Sequence, residues 1–573
     1  MTASDSRRWW ALGALSLSVL VVALDLFVLT LALPTVSADL HASSGDLEWF
    51  LDAYSLVLAA ALLPAGLLGD RIGRKRLLLG ALVLFGAASL ACAYSTSTGE
   101  LIAARAVLGL AAAVILPMSL AVLPVLFSPQ ERPRAIAAVG GATFLGYPIG
   151  PILGGYLLDH FWWGSVFLIN VPVVIIAIVA VATLMPESGG DVRQRIDLIG
   201  IAISSAGLTL VTYGLIKAGD DGWSNLAAIV TMAVGAVVLA FFAAWERRVS
   251  TRRTGSGVLP LVDLGLFGSR GFLWGTVLAT LVSFALFGLV FAMPQYFLDV
   301  RGLDSMGAGI RMLPMIGGLA VGLAIGQRLQ TPRKDRRPVN APAGPAAAGR
   351  AAPGPNAAQA RPGTPSVSPK VLVAVGFAIM AAALAVGTGT SLASGTGFAA
   401  TWFAVAGLGL GIAMPTALNV AIGALSSARS GSGSALITAM RQVGGTIGVA
   451  VLGTVLANVY RSHLHLAGLP AAAAKVVRLG VAEGIATARA AHSTLLLGVV
   501  RGAYVHGMDV MLWVCAGIAI ASAVLALAFL PRRADAPPAD AEESEAVMPD
   551  GATPSRDRGE PATSPFDKSR MTT

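Results

Sequence analysis

Apolar positions gather in long blocks along this chain, and short polar breaks separate them. A helix needs about 20 such residues to cross a hydrocarbon core of about 30 Å. The pattern predicts 14 spans, near 10–33, 48–68, 77–96, 101–124, 135–158, 165–185, 197–217, 226–245, 272–297, 307–327, 371–390, 397–420, 434–459 and 508–530. The first begins in SRRWWALGALSLSVLVVALDLFVLTLALP and is too long for a cleavable leader, so it is read as a transmembrane helix. Two polar segments stand apart: a Pro-, Ala-, Gly- and Arg-rich linker at 331–369 and a tail at 532–573, both expected to be disordered and cytoplasmic. A long external loop at 460–507 contains AAAAKVVRLGVAEGIATARAA, which either lies on the membrane as an amphipathic helix or caps the bundle.

Composition agrees with a bilayer as the solvent. The 573 residues are 55% hydrophobic and 12% charged, against about 25% charged in soluble proteins. The net charge of +9 does not call for a nucleic-acid partner. Of the 40 lysines and arginines, 30 fall on the side that holds both termini and 7 on the other, which makes that side cytoplasmic. The positive charge then faces anionic lipid. The two cysteines, Cys92 and Cys515, lie in apolar segments, and the histidines form no ligand pattern, so neither a disulfide nor a metal is expected.

Four stretches carry candidate chemistry. Asp25 lies well inside span 1, where a carboxylate costs about 2.5–3.5 kcal/mol on insertion scales. Burial disfavours the charged form, which suits an acid that takes up and releases a proton in turn. Arg105, in span 4, lies within about 5 Å of the same depth, so a long side chain can reach Asp25. GLLGDRIGRKR, on a short turn between spans 2 and 3, places Gly66, Gly69 and Gly73 around Asp70, Arg71, Arg74, Lys75 and Arg76. The glycines permit close helix approach, and the acid can pair with its basic neighbours. GYPIGPILGG repeats Gly146, Gly150 and Gly154 at intervals of four on one helix face, a spacing that lets two helix backbones approach in lipid. Its Pro148 and Pro151 remove helix hydrogen bonds and permit bending. Arg441 and Gln442 are polar residues in span 13 that can line an inner cavity. Arg311 is expected to snorkel to the external side, and Asp52, Asp299, Asp304 and Asp509 to be solvated at external ends. With one acid deep in the membrane, neutral or monocationic substrates are expected. No GxxxxGK[ST] loop is present, which argues against ATP as the energy source.

These motifs resemble the major facilitator superfamily, and within it the 14-helix drug:proton antiporters. GLLGDRIGRK is similar to its loop motif, with Gly69 in place of the usual alanine. GYPIGPILGG is similar to its antiporter motif at Gly146, Gly150, Pro151, Gly154 and Gly155. LIAARAVLG resembles the helix-4 motif around a membrane arginine, with Leu108 replacing a common glutamine. ALDLFVLTLALP resembles the helix-1 motif but departs from it at Phe27 and Thr30, and FLINVP, PQYFLDVRG and ITAMRQVGGTIGVA fit the same family. The resemblance covers about residues 8–530 and implies an all-α polytopic fold. Its parts are an N-terminal six-helix bundle (8–185), an inserted helix pair (197–245) and a C-terminal six-helix bundle (272–530). It implies a transporter rather than an enzyme: a monomer in a bacterial cytoplasmic membrane, without cofactor, that exports hydrophobic or amphipathic drugs or antibiotics in exchange for protons. Asp25 and Arg105 would couple the proton, Gly66–Lys75 would latch a cytoplasmic gate, and the Gly146 face would meet the other half of the carrier. The alternative is a carrier of the same fold with one narrow substrate, such as an amino acid or siderophore.

Overall fold

The computed structural model describes residues 3–42, 44–128, 131–187, 195–251, 258–259, 261–262, 264–330, 367–425, 430–466 and 469–531. The tail 532–573 lies outside them, as does the linker 331–369 except its last three residues. The side chains of Phe27, Thr30, Pro148 and Pro151 are also outside the described set.

Long helices dominate. The first bundle contains α1 (Ala3–Leu40), α2 (Ser44–Ile72), α3 (Arg74–Ala93), α4 (Thr98–Ala121) with the short α5 (Leu123–Leu126), α6 (Arg132–His160), α7 (Ser165–Leu168) and α8 (Asn170–Leu184). A pair follows, α9 (Leu198–Asp221) and α10 (Leu226–Thr251). The second bundle contains α11 (Arg270–Gln295), α12 (Ser305–Gln330), α13 (Pro369–Gly387), α14 (Thr396–Gly423), α15 (Ser430–His463), α16 (Ala471–Val477), α17 (Val481–Ala490) and α18 (Thr494–Phe529). Among the described residues 13 helices are long and apolar enough to cross a membrane. The remaining expected span is occupied by α6, a helix of 29 residues. The end of the molecule that holds the start of α1 and the α2–α3 turn is called the basic face below.

Local chemistry sets the helix ends. Gly73 breaks α2 from α3 with a φ of 107°, a left-handed conformation that favours glycine. Helix α4 starts at a side-chain cap: Ser97 Oγ accepts the Glu100 amide, and Glu100 Oε2 accepts the amide of the preceding Thr96 at 2.8 Å.

Within the first bundle α1 packs on α6 and α8, and α4 on α2 and α3. Within the second, α14 packs on α12 and α13, and α15 and α18 on α11. The bundles meet where α15 touches α2 and α4, and where α6 touches α12 and α14. Helix α9 leans on both bundles through α2 and α15, with Ser205 Oγ donating to Ala60 O at 2.7 Å. The outer faces are apolar, as at Ile175, Ile176 and Val179 on α8 and Val237 and Phe241 on α10. That is the expected lining toward lipid.

The long external loop differs from expectation. Helix α15 runs to His463 and α18 begins at Thr494, so helix replaces both ends of the 460–507 segment. Helix α18 has 36 residues, about 54 Å, and therefore projects past the hydrocarbon layer. Arg501, His506 and Asp509 had masked its first half by lowering local hydropathy without breaking the helix. Between the two, α16 and α17 cap the bundle: Val477, Val481 and Ile485 are buried, and Tyr460 Oη donates to Val477 O at 2.9 Å.

Candidate functional site

Five helices of the first bundle contribute to one buried polar cluster. Asp25 on α1 and Arg105 on α4 form an ion pair at 2.6 Å with both side chains at 1% exposure or less. Arg105 Nε donates to Phe50 O on α2 at 2.9 Å, and its guanidinium lies 4.5 Å from the ring centre of Tyr54, one turn further along α2. On the other side, Asn170 Nδ2 at the start of α8 donates to Asp25 Oδ1 at 3.0 Å and lies 3.3 Å from Ser89 Oγ on α3. Two charges so deep are tolerable only because they satisfy each other. Removing one partner from a buried pair costs about 3–5 kcal/mol, since the other charge is left uncompensated. Arg105 Nη2 is buried without a hydrogen-bond partner among the described residues, so the guanidinium has capacity for a second acceptor.

Sequence reasoning singled out Asp25 and Arg105 and left their contact open; the structure brings them together. It missed Tyr54, Ser89 and Asn170. A signal existed for Asn170, which carries the only side-chain amide in span 165–185.

At Gly146 the partner of α6 differs from the one expected. A Cβ on Gly146 would sit 2.5 Å from Ala23 Cβ and 3.1 Å from the Leu24 backbone nitrogen. Gly146 therefore packs against the α1 segment that leads into Asp25, within its own bundle. Helix α6 also packs on α12 and α14 of the second bundle, with Gly141 beside Leu323 of α12. Gly150, Gly154 and Gly155 are buried as well.

At the basic face, α2 docks on the start of α15. Asp70 accepts the Gly431 amide at 3.0 Å and the Ser432 amide at 2.9 Å, while Arg74 Nη2 holds the same carboxylate at 2.8 Å. An acid at a helix N-terminus satisfies amides that lack intrahelical partners and meets the positive end of the helix dipole. Gly66 and Gly431 permit the approach, since a Cβ on Gly66 would press on Ala435 and one on Gly431 would fall on Asp70. Gly69 faces Met118 of α4. Ser430 Oγ adds a bond to Ala121 O at the end of α4. The rest of the motif faces α8: Lys75 Nζ donates to Ala182 O at 2.7 Å, and Arg76 lies 3.4 Å from Glu187. Arg71, beside Asp70, is only partly buried.

Between the bundles lies a cavity of about 970 Å³, counted with the open space at its mouth. The first bundle gives it a mostly apolar wall from α1, α4 and α6, including Val22, Leu116 and Val139. Tyr54 stands in that wall, so the ring that covers Arg105 also faces the cavity. The second bundle gives Phe287, Met414 and Leu418 together with the polar Ser283, Thr438, Arg441 and Gln442, with Arg441 Nε 3.3 Å from Ser283 Oγ. Arg441 and Gln442 thus line the cavity, whereas Asp25 is turned away into its ion pair. Among the described residues that line the cavity, Arg441 is the charged one. Asp509, expected to be solvated, has a buried Oδ1, while Arg311 bonds Gly307 O near its helix end.

The comparisons with known proteins agree with this architecture. The family model described as Major Facilitator Superfamily matches residues 15–449. The tetracenomycin C resistance and export protein of Streptomyces glaucescens is 30% identical over 533 residues, 91% of each chain. The multidrug efflux pump LfrA of Mycolicibacterium smegmatis is 32% identical over 541 residues, 92% of this chain and 97% of its own. Among solved structures, the proton:xylose symporter XylE aligns with a TM-score of 0.56 at 12% identity, over 92% of this chain and 97% of its own, which speaks to the fold alone.

Proposed function

We propose, from the premise that the chain belongs to the major facilitator superfamily, that it exports hydrophobic or amphipathic small molecules across a bacterial cell membrane in exchange for entering protons. The relatives named for tetracenomycin C export and multidrug efflux support the export of drug-like compounds. The basic face is then cytoplasmic, in keeping with the distribution of lysine and arginine.

The observation that carries the coupling is the position of Tyr54, in contact with Arg105 on one side and facing the cavity on the other. A proton arriving at Asp25 neutralises the carboxylate and removes the charge that holds Arg105. The guanidinium remains bound to the Phe50 carbonyl and the Tyr54 ring, both on α2, so the change is delivered to that helix. Helix α2 also carries Asp70, whose bonds to Gly431 and Ser432 hold the bundles together at the basic face. Proton uptake and closure of the cytoplasmic gate are thereby linked through one helix, which carries Pro64 between the two sites.

The test is dye uptake into inverted membrane vesicles under an imposed proton gradient, with wild type and Asp25→Asn compared. Gradient-driven uptake that is lost in the variant supports the reading. Equal uptake in both overturns Asp25 as the coupling residue, and gradient-independent uptake by wild type overturns proton exchange.

A further inference from the structure

We infer that the inserted helix pair travels with the first bundle, and that the contact of α9 with α15 at Gly219 and Ala450 exists only while the basic face is closed. This rests on the reading of the chain as an exporter whose two bundles alternate.

Helix α9 crosses from one bundle to the other along its length. About 10 Å from its start, Ser205 Oγ donates to Ala60 O on α2. At about 31 Å, Gly219 lies on Ala450 of α15, and just past the helix end Trp223 Nε1 donates to Thr454 Oγ1 at 2.9 Å. The face between is packed, with Ser204, Leu208, Leu215 and Ala218 buried. Along the cavity, α2 and α15 stand on opposite sides, Tyr54 and Leu58 on one and Thr438 and Gln442 on the other. At the basic face the same two helices meet, through Asp70, Gly431 and Ser432. Opening that face tilts α15 relative to α2, so Ala450 and Thr454 shift relative to Ala60. One helix cannot keep both anchors through that motion. The contact of α9 with α2 is the wider one. Its anchor on α15 is a glycine against an alanine and a single hydrogen bond from a partly exposed indole. A neutral bond of that kind is a small net loss when water can replace it, so this is the anchor that slides.

A Cβ on Gly219 would lie 3.7 Å from Ala450 Cβ, within the range that a disulfide spans. The full chain carrying Gly219→Cys and Ala450→Cys is oxidised with copper phenanthroline and denatured, and its free thiols are counted with a maleimide. Oxidation is expected to be fast when the basic face is intact and severalfold slower with Asp70→Ala or Gly431→Ala, which loosen it. A second pair, Ser205→Cys with Ala60→Cys, is joined by a short bifunctional thiol reagent and is expected to react at one rate in all three backgrounds. No disulfide with the basic face intact, an unchanged oxidation rate in both gate variants, or a fall in the rate of the second pair overturns the inference. Proton-driven dye uptake by the Gly219→Cys, Ala450→Cys variant is expected to stop on oxidation and return with dithiothreitol. Full uptake by the oxidised form also overturns the inference. Absence of uptake in the reduced form counts against the exporter reading instead, and the cross-linking rates still decide this one.

Discussion

The Tyr54 ring lies under the Arg105 guanidinium at 4.5 Å, and Tyr54 also lines the cavity between the bundles. The contact is a buried cation–π interaction, worth about 2 kcal/mol when desolvated. It is also expected to keep cavity water and substrate off the Asp25–Arg105 pair. Tyr54→Phe retains the ring and is expected to leave coupled transport near wild type. Tyr54→Ala opens the pair to the cavity, and protons should then leak without substrate. Proton flux into liposomes without substrate, followed with a pH-sensitive dye, separates the two variants. A Tyr54→Ala protein as proton-tight as wild type would refute the separating role.

Gly146 presses on the α1 segment just before Asp25, and this gives α6 a direct hold on the acid. Gly146→Val adds three carbons where even a Cβ meets Ala23 at 2.5 Å. Overpacking of this kind costs about 1–3 kcal/mol. The expected outcome is a lower melting temperature together with impaired coupling, because α1 must shift and carry Asp25 with it. Gly80→Ala is the control, since nothing lies within 4 Å of a Cβ there. It should melt at or slightly above the wild-type temperature, as alanine favours helix over glycine.

The helices were legible because a span must be apolar for its whole length and must satisfy its own backbone, so hydropathy alone locates it. That signal fails where a helix leaves the lipid, as α18 does before Asp509. Asp25 and Arg105 stood out because charge in a span is costly, and their similar depth made contact geometrically reasonable. Tyr54 and Ser89 did not stand out, since tyrosine and serine are inexpensive in a span and their roles depend on helix rotation. The partner of Gly146 was misassigned for the same reason: a spacing of four defines a face but not the helix that it meets. The partners of Asp70 are backbone amides at Gly431 and Ser432, and amides leave no mark in a sequence.

The bonds from Asp70 to α15 predict a gate that loosens in a graded way. Asp70→Ala removes two charge-assisted bonds to amides and the ion pair with Arg74. Gly431→Ala should act similarly from the other side, because its Cβ would fall on the carboxylate. A reporter cysteine, Leu120→Cys, lies in the cavity wall at the end of α4. Its labelling from the cytoplasmic side by an impermeant maleimide should rise about tenfold in either gate variant, the scale of one such bond. The native thiols Cys92 and Cys515 are buried and give a low background. Unchanged labelling would show that the contact does not hold the gate.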